Sequence, residues 1–199
     1  MRFVGIDPST KTGFVALDED GTVVKQKELT GIGTVDPKRM CTLHDEAIAH
    51  IKNYDVICIE GFSFNSTGQG VDFQYGLGHY IRNTLWRREK HYYEVAPSAV
   101  KKFVGVTGWK GEVGKKSRLS GSEKKKAVAE GVLSHFGFTH PSDNVVDAFI
   151  MAQIARAIHH VKCENNSFIL TDYQMEVVQN ILNPKPKSKT KKKRKKAKV

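Results

Sequence analysis

The chain has 199 residues, of which 39% are hydrophobic and 27% charged, and its formal net charge is +11. This length accommodates one α/β domain with an appendage and argues against two large domains. No stretch approaches the roughly 18 apolar residues of a membrane span, so we expect no membrane segment. The three cysteines, Cys41, Cys58 and Cys163, are far apart and lack a metal-ligand spacing, which is typical of reduced thiols in a cytoplasmic protein.

The positive charge is concentrated in two segments. Residues 184–199 contain ten Lys and Arg residues and no acid, and residues 101–126 contain nine against two acids. The rest of the chain is therefore net acidic. A slightly acidic domain with a basic loop and a basic tail predicts a polyanionic partner, and the low-complexity composition of the tail predicts that it is disordered.

The first part of the chain predicts an antiparallel start followed by a helix and a central strand. Three strands are expected at 2–7, 12–17 and 22–29, with a hairpin turn at "DEDG" between the last two. A helix is expected to begin at Asp36-Pro37 and to end near Asn53. The run "DVICIE" at 55–60 is apolar on both faces, which is typical of a strand covered on both sides.

The second part of the chain predicts mainly helices. After a Gly/Ser-rich loop at 61–70, the apolar spacing predicts helices and one strand, separated by a Gly/Lys-rich loop: helix 71–89, strand 91–96, helix 97–104, loop 105–121, and helices 122–136, 143–163 and 170–182. This order predicts the α/β class with a mixed sheet. We divide the chain into a domain at 1–165, a helical extension at 166–183 and the tail at 184–199.

Two apolar strands end in an acid. Strand 2–7 ends at Asp7 and strand 55–60 ends at Glu60. Each acid alone suits a turn or a strand end. Because both strands are expected to be central neighbours, however, their ends would face one crevice beyond the sheet. Two unpaired carboxylates repel each other there, and a divalent cation would relieve that repulsion.

A third and a fourth carboxylate lie in "DNVVDAFIMAQIA". Asp143 and Asp147 are four residues apart and project from the same side of a helix. Asp147 is surrounded in sequence by apolar residues, where an acid needs a partner. Asp143 would serve equally well as a helix N-cap.

Four segments together resemble the RuvC-type Holliday-junction resolvases of the RNase H-like nuclease superfamily. They are "GIDPSTKTGFVALD", "ICIEGFSF", "VAPSAVKKFVGVTG" and "DNVVDAFIMAQIA", and they cover about residues 2–160 in the order and spacing of that family. The first segment alone also suits actin-like kinases and ATPases. The resemblance implies an RNase H-like three-layer fold with a mixed five-stranded sheet flanked by helices. A short chain with a lysine tail would suit a phage-encoded member acting in the host cytoplasm.

The resemblance also implies a set of site residues. Asp7, Glu60 and Asp147 would bind two Mg²⁺ ions, with Mn²⁺ as a substitute, and water would cleave a phosphodiester there. The family places a fourth acid three or four residues before the last one, so the position is Asn144 or Asp143. We prefer Asp143 because an amide supplies no charge to Mg²⁺.

The resemblance further implies residues that meet DNA. Lys101 and Lys124 match lysines near the scissile phosphate, and an aromatic residue after Glu60 would stack on unpaired bases, for which we prefer Phe64 over Phe62. Either ring would also suit a core anchor. The basic cluster is either a DNA contact surface or a solvated face, and its members are Lys101, Lys102, Lys115, Lys116, Arg118, Lys124, Lys125 and Lys126.

The predicted function is a Mg²⁺-dependent endonuclease that cuts branched DNA, chiefly four-way junctions, by paired nicks. The resemblance implies a homodimer formed through helix 71–89, although the apolar stripe of that helix would equally suit the core. One alternative is an actin-like ATPase or kinase, which the chain disfavours because it has no second domain of that kind. Another is a structure-selective DNA-binding protein without cleavage, for which three acids facing phosphate would be unfavourable.

Overall fold

A five-stranded mixed sheet forms the centre of the protein. The computed structural model describes residues 1–62, 70–111, 117–165 and 168–184. The strand order is β3-β2-β1-β4-β5, with antiparallel pairs among the first three strands and parallel pairs from β1 to β4 and from β4 to β5. The strands are β1 (Arg2–Asp7), β2 (Thr12–Leu17), β3 (Val23–Leu29), β4 (Asp55–Glu60) and β5 (Tyr92–Val95). The predicted mixed five-stranded sheet is confirmed.

Helices cover both faces of this sheet and give the predicted three layers. In the described residues they are α1 (Lys38–Ala49), α2 (Val71–Arg87), α3 (Pro97–Phe103), α4 (Gly121–Phe136), α5 (Asp143–Lys162) and α6 (Asp172–Leu182). One face packs against α1 and α2, and the other packs against α5 together with α3, α4 and α6. No helix in the described ranges is both long enough and apolar enough to span a bilayer.

The apolar stripe of α2 belongs to the core. Phe73, Leu77, Ile81 and Leu85 are buried and pack with residues of β1, β2 and β4. Of the two roles that the sequence left open for this stripe, the structure therefore shows the core role.

Most boundaries agree with the sequence prediction to within two residues, and two larger differences remain. Helix α1 ends at Ala49 and not near Asn53, because the Lys52 amide donates a hydrogen bond to the Asp55 carboxylate (2.7 Å) and the chain turns into β4. The loop predicted at 105–121 contains a two-stranded antiparallel hairpin, formed by β6 (Trp109–Lys110) and β7 (Ser117–Arg118). Strands of two residues are too short to produce a recognisable hydrophobic alternation.

Helix α6 packs against α3. The buried Gln174 side chain donates a hydrogen bond to the Phe103 carbonyl (3.1 Å), and Glu176 pairs with Lys102 at 2.5 Å. Val177 and Val178 are buried in the same apolar cluster as α5. The C-terminal extension is thus attached to the helix that carries Lys101. The predicted tail lies outside the described residues except for Pro184.

Candidate active site

Two neighbouring strands place the first two acids side by side. β1 and β4 are parallel and in register, with Ile6 opposite Ile59, so that Asp7 and Glu60 follow at the same edge of the sheet. Both strands are apolar because they are covered on both faces. Asp7 is itself only 6% exposed. The prediction that the two acids end adjacent central strands is confirmed.

Helix α5 brings the third acid to the same edge, and two glycines allow its close approach. A Cβ on Gly5 would lie 1.9 Å from the Ala148 carbonyl oxygen, and one on Gly13 would lie 1.9 Å from the Asn144 carbonyl oxygen. Any side chain at these positions would push α5 away from the sheet. The backbone contact therefore sets the height of Asp147 above Asp7.

Asp7 and Glu60 interact directly. Burial, and then the charges of Glu60 and Asp147, raise the pKa of Asp7 well above its ordinary value. Burial also raises the pKa of Glu60, although the side-chain hydrogen bond with Asp7 acts in the opposite direction on Glu60. The hydrogen bond between them thus acts to raise the pKa of Asp7 and to lower that of Glu60, while burial raises both.

Asp147 completes a group of three acids that all resist ionisation. Burial raises the pKa of Asp147, and the Asp143 charge adds to this effect. Lys101, on α3, favours the ionised form of Asp7, Glu60 and Asp147, but it does not cancel the effect of burial on any of them. The crevice thus concentrates more negative charge than its own cations neutralise.

A cavity of about 210 Å³ opens beside Asp147. It is bordered by acids and lysines from α3, α4 and α5: Lys101, Gly121, Lys124, Lys125, Val128, Asp143, Val146 and Asp147. Within it, the Lys125 ammonium pairs with the Asp143 carboxylate at 2.6 Å, and this hydrogen bond raises the pKa of Lys125. The structure therefore brings Asp143, Lys101 and Lys124 together with Asp147.

Asn144, the alternative fourth position, points to a different partner. Its side-chain amide donates to the Glu28 carboxylate at 3.3 Å, and the Ser142 hydroxyl also donates to Glu28. These hydrogen bonds hold the pKa of Glu28 below its ordinary value. Glu28 lies two strands from Asp7 in the same row of the sheet, and it ties the first turn of α5 to β3.

Comparison with solved structures shows similarity to a RuvC protein in two structures. Thermus thermophilus RuvC in complex with a Holliday junction substrate superposes with a TM-score of 0.57 and 13% identity, over 82% of this chain and 96% of that chain. A second structure of Thermus thermophilus RuvC gives a TM-score of 0.58 and 14% identity, over 82% of this chain and 97% of that chain. The chain has the RuvC-type fold. No protein-family model and no curated protein sequence matches it.

Within this RuvC-type fold, Arg82 supports the strand end that carries Glu60. The buried guanidinium donates to the Glu60 carbonyl (2.5 Å), the Gly78 carbonyl (3.0 Å) and the Glu94 carboxylate (2.7 Å). It also lies over the Phe62 ring, 4.3 Å from the centroid. The sequence offered one signal for this role, which is an arginine directly after Ile81 of the apolar stripe of α2.

The predicted DNA-binding residues have separate environments. Phe62 packs against Tyr75 and His79 of α2, which suits an anchor. Lys102 pairs with Glu176, and the Arg118 guanidinium lies over Trp109. Lys126 lies on the exposed side of α4, 3.9 Å from Glu130. The remaining members of the predicted set, Phe64, Lys115 and Lys116, lie outside the described residues.

The donor set of the crevice suits a hard divalent cation. Within the described ranges, no three His, Cys, Asp or Glu side chains already form a metal-binding cluster. The carboxylates nevertheless share one crevice, and burial and mutual repulsion raise their pKa values. Oxygen ligands with excess negative charge match Mg²⁺ or Mn²⁺ and not a soft metal.

A larger cavity, of about 770 Å³, lies between β5, α3 and α6. Glu94 is the one acid among its lining residues in the described part of the chain, and it pairs with Arg82. Volume alone therefore does not identify the site. The acids and their electrostatics place it at the ends of β1 and β4.

Proposed function

We propose that the protein is a metal-dependent endonuclease that cleaves branched DNA, chiefly four-way junctions. The observation that carries this proposal is the convergence of Asp7, Glu60 and Asp147 in one crevice, beside a cavity bordered by lysines. The fold adds support, because a structure with the same fold holds a Holliday junction substrate.

Asp7, Glu60 and Asp147 would hold the divalent cations, with Asp143 as a fourth ligand. Two bound Mg²⁺ or Mn²⁺ ions would activate the attacking water and stabilise the leaving oxygen. The protein contributes the rigidity of this arrangement. Asp7 and Glu60 are fixed by paired strands, and the close contact of Gly5 and Gly13 with α5 fixes Asp147.

The lysines offset phosphate charge next to an acidic crevice. Lys101 lies close enough to stabilise the ionised form of all three acids, and it also borders the cavity with Lys124 and Lys125. A phosphate that enters this cavity would meet three ammonium groups beside the carboxylates of Asp143 and Asp147. Lys125 would exchange Asp143 for the phosphate as its partner.

A homodimer would supply the second nick that junction resolution requires. Two-fold symmetry presents two equivalent sites to opposing strands. The face of α2 that points away from the core exposes Trp86 and, in part, Tyr80, which would suit a contact between two copies. Light scattering of the purified protein should give twice the monomer mass, and a monomer at micromolar concentration would contradict this part of the proposal.

Cleavage assays on defined DNA test the function. Labelled four-way, three-way and linear DNA would each be incubated with Mg²⁺, with Mn²⁺ and with EDTA. We expect paired nicks in the four-way junction with either metal, little cleavage of linear DNA, and none with EDTA. Tight junction binding without cleavage in any divalent ion would instead identify a binding protein, and the absence of binding would refute both.

A further inference from the structure

The hairpin in the basic loop carries an exposed tryptophan paired with an arginine. Trp109 of β6 lies directly opposite Arg118 of β7, and the Arg118 guanidinium is 5.4 Å from the centre of the indole ring. Cross-strand neighbours of this kind project from the same face of the hairpin. Trp109 is still 51% exposed. Part of a large aromatic surface therefore faces solvent in the most basic segment of the described chain.

An ion pair and a backbone hydrogen bond hold the hairpin that carries this pair. Lys110, next to Trp109, pairs with Glu123 at 2.5 Å, and Glu123 also forms the capping box of α4 with Ser120. On the other strand, the Leu119 amide donates to the Gly108 carbonyl (3.0 Å). The backbone hydrogen bond between Leu119 and Gly108 closes the base of the hairpin, and the Lys110–Glu123 ion pair connects the hairpin to the start of α4.

The same connections place the pair near the candidate active site. A Cβ on Gly108 would lie 3.9 Å from the Cε atom of Lys124. Lys124 borders the cavity that also contains Asp147. Trp109 therefore directly follows Gly108, whose backbone lies next to Lys124 of the candidate active site.

We propose that Trp109 and Arg118 form a stacking platform for an unpaired nucleobase of the DNA substrate, close to the cleaved phosphate. This inference rests on the proposed function. An indole stacks on any base, and a guanidinium beside it adds a planar cation that binds phosphate or a second base. A core role would instead bury the indole, and a purely electrostatic surface would need no aromatic residue.

The chain contains two tryptophans, which makes a direct optical test possible. Trp86→Phe leaves Trp109 as the fluorophore, and Trp109→Phe leaves Trp86, which is 77% exposed and lies on α2. Each variant would be titrated in EDTA with four-way junction and with linear duplex. Binding is followed independently by the anisotropy of dye-labelled DNA, after both variants are shown to have the wild-type oligomeric state.

The platform predicts quenching of Trp109 at the same DNA concentration at which anisotropy saturates. The quenching should be strong with the junction and weak with the duplex, and Trp86 emission should hardly change. Trp109→Ala should weaken junction binding about 10-fold, a typical loss for one stacked base, whereas Trp109→Phe should retain most of the affinity. Tyr54→Ala, at an exposed site outside the basic loop, is the matched control and should bind as the wild type does.

Some results would overturn the stacking platform alone, and others would overturn the proposed function as well. If anisotropy reports tight junction binding while Trp109 emission is unchanged and Trp109→Ala binds normally, the platform is wrong and the proposed function stands. If the wild type binds no branched DNA, both are wrong. Should Trp109→Ala lower the melting temperature, the emission of Trp86→Phe still decides between a stacked and an unstacked indole.

Discussion

The carboxylate crevice and the basic loop are built in opposite ways. Asp7, Glu60 and Asp147 are held by paired strands and by a helix in direct backbone contact with the sheet, and they lack full charge compensation. The cations of the loop project from α4 and a short hairpin, and several already pair with acids, as Lys125 does with Asp143. Rigid anions and exchangeable cations suit a site whose ligands must not move while its substrate comes and goes.

The largest effect should come from removing one rigid anion. Asp147→Asn keeps the size of the side chain but removes a ligand charge, so cleavage should fall by about 1000-fold or more, since metal ions contribute several kcal/mol to such reactions. Junction affinity measured in Ca²⁺ should stay near that of the wild type. Gel-based assays measure the cleavage rate, and the anisotropy of labelled DNA measures the junction affinity. Cleavage at the wild-type rate would remove Asp147 from the site.

Substitution of a glycine tests whether the close contact between the sheet and α5 holds Asp147 in position. Gly13→Ala places a methyl group 1.9 Å from the Asn144 carbonyl oxygen, so α5 must shift. Overpacking of this kind costs typically 1–3 kcal/mol, which corresponds to a loss of about 2–12 °C in melting temperature for a chain of this size. Cleavage should fall further than the stability loss explains, because Asp147 moves with the helix.

Gly121→Ala is the matched control for that glycine. A Cβ there meets nothing within 4 Å, and Gly121 belongs to the cation side of the site, at the start of α4. Scanning calorimetry should show little change. Equal losses of melting temperature in Gly13→Ala and Gly121→Ala would contradict the conclusion that the carboxylate crevice is more rigidly packed than the basic loop.

The fourth acid lies on the border between the two regions. Asp143 is exposed and pairs with Lys125, whereas Asn144 donates to Glu28. We therefore expect Asp143→Asn to reduce cleavage by about 10- to 100-fold, in the range of one supporting ligand group, and Asn144→Ala to reduce it less. Isothermal titration with Mn²⁺ should show weaker binding for Asp143→Asn alone. Equal activity in both variants would mean that neither residue is the fourth ligand.

The uncompensated charge of the crevice should also affect stability. Because the folded state raises the pKa of Asp7, the folded protein keeps a proton that the unfolded chain releases, and stability falls as the pH rises from the ordinary aspartate pKa to the raised pKa of folded Asp7. Asp7→Asn removes this loss, and its amide can still donate to Glu60.

In EDTA at neutral pH, Asp7→Asn should therefore melt higher than the wild type, by about 2–4 °C for each kcal/mol of relieved repulsion. The difference should disappear below about pH 4, where Asp7 becomes protonated in the unfolded chain as well. Thermal melts across this pH range measure it. A variant that melts lower at every pH would show that Asp7 stabilises the metal-free fold.

The two regions also differ in how far their sequence predicts them. Asp7 and Glu60 could be placed because each ends an apolar run long enough to identify a buried strand, and parallel neighbours bring such ends together. The hairpin around Trp109 could not, because each of its strands has two residues. Glu28 was missed for another reason: its role depends on the register of β3 against β2, which no local pattern reveals.

The smallest effect on cleavage should come from the tail, which contains many cations and no acid. Residues 184–199 contain ten Lys and Arg residues, and each phosphate neutralised contributes about 0.9 to the slope of log affinity against log salt. If about half of these charges engage DNA, truncation after Asn183 should lower the slope by about 4. Contacts of this kind carry no sequence or branch information, so junction and duplex should lose affinity equally and junction selectivity should hold.

The slope must be measured without divalent ions or in Ca²⁺, because Mg²⁺ competes for phosphate. An unchanged slope would show that the tail does not bind DNA, and cleavage at saturating protein should be close to wild type in either case, because the tail supplies none of the acids.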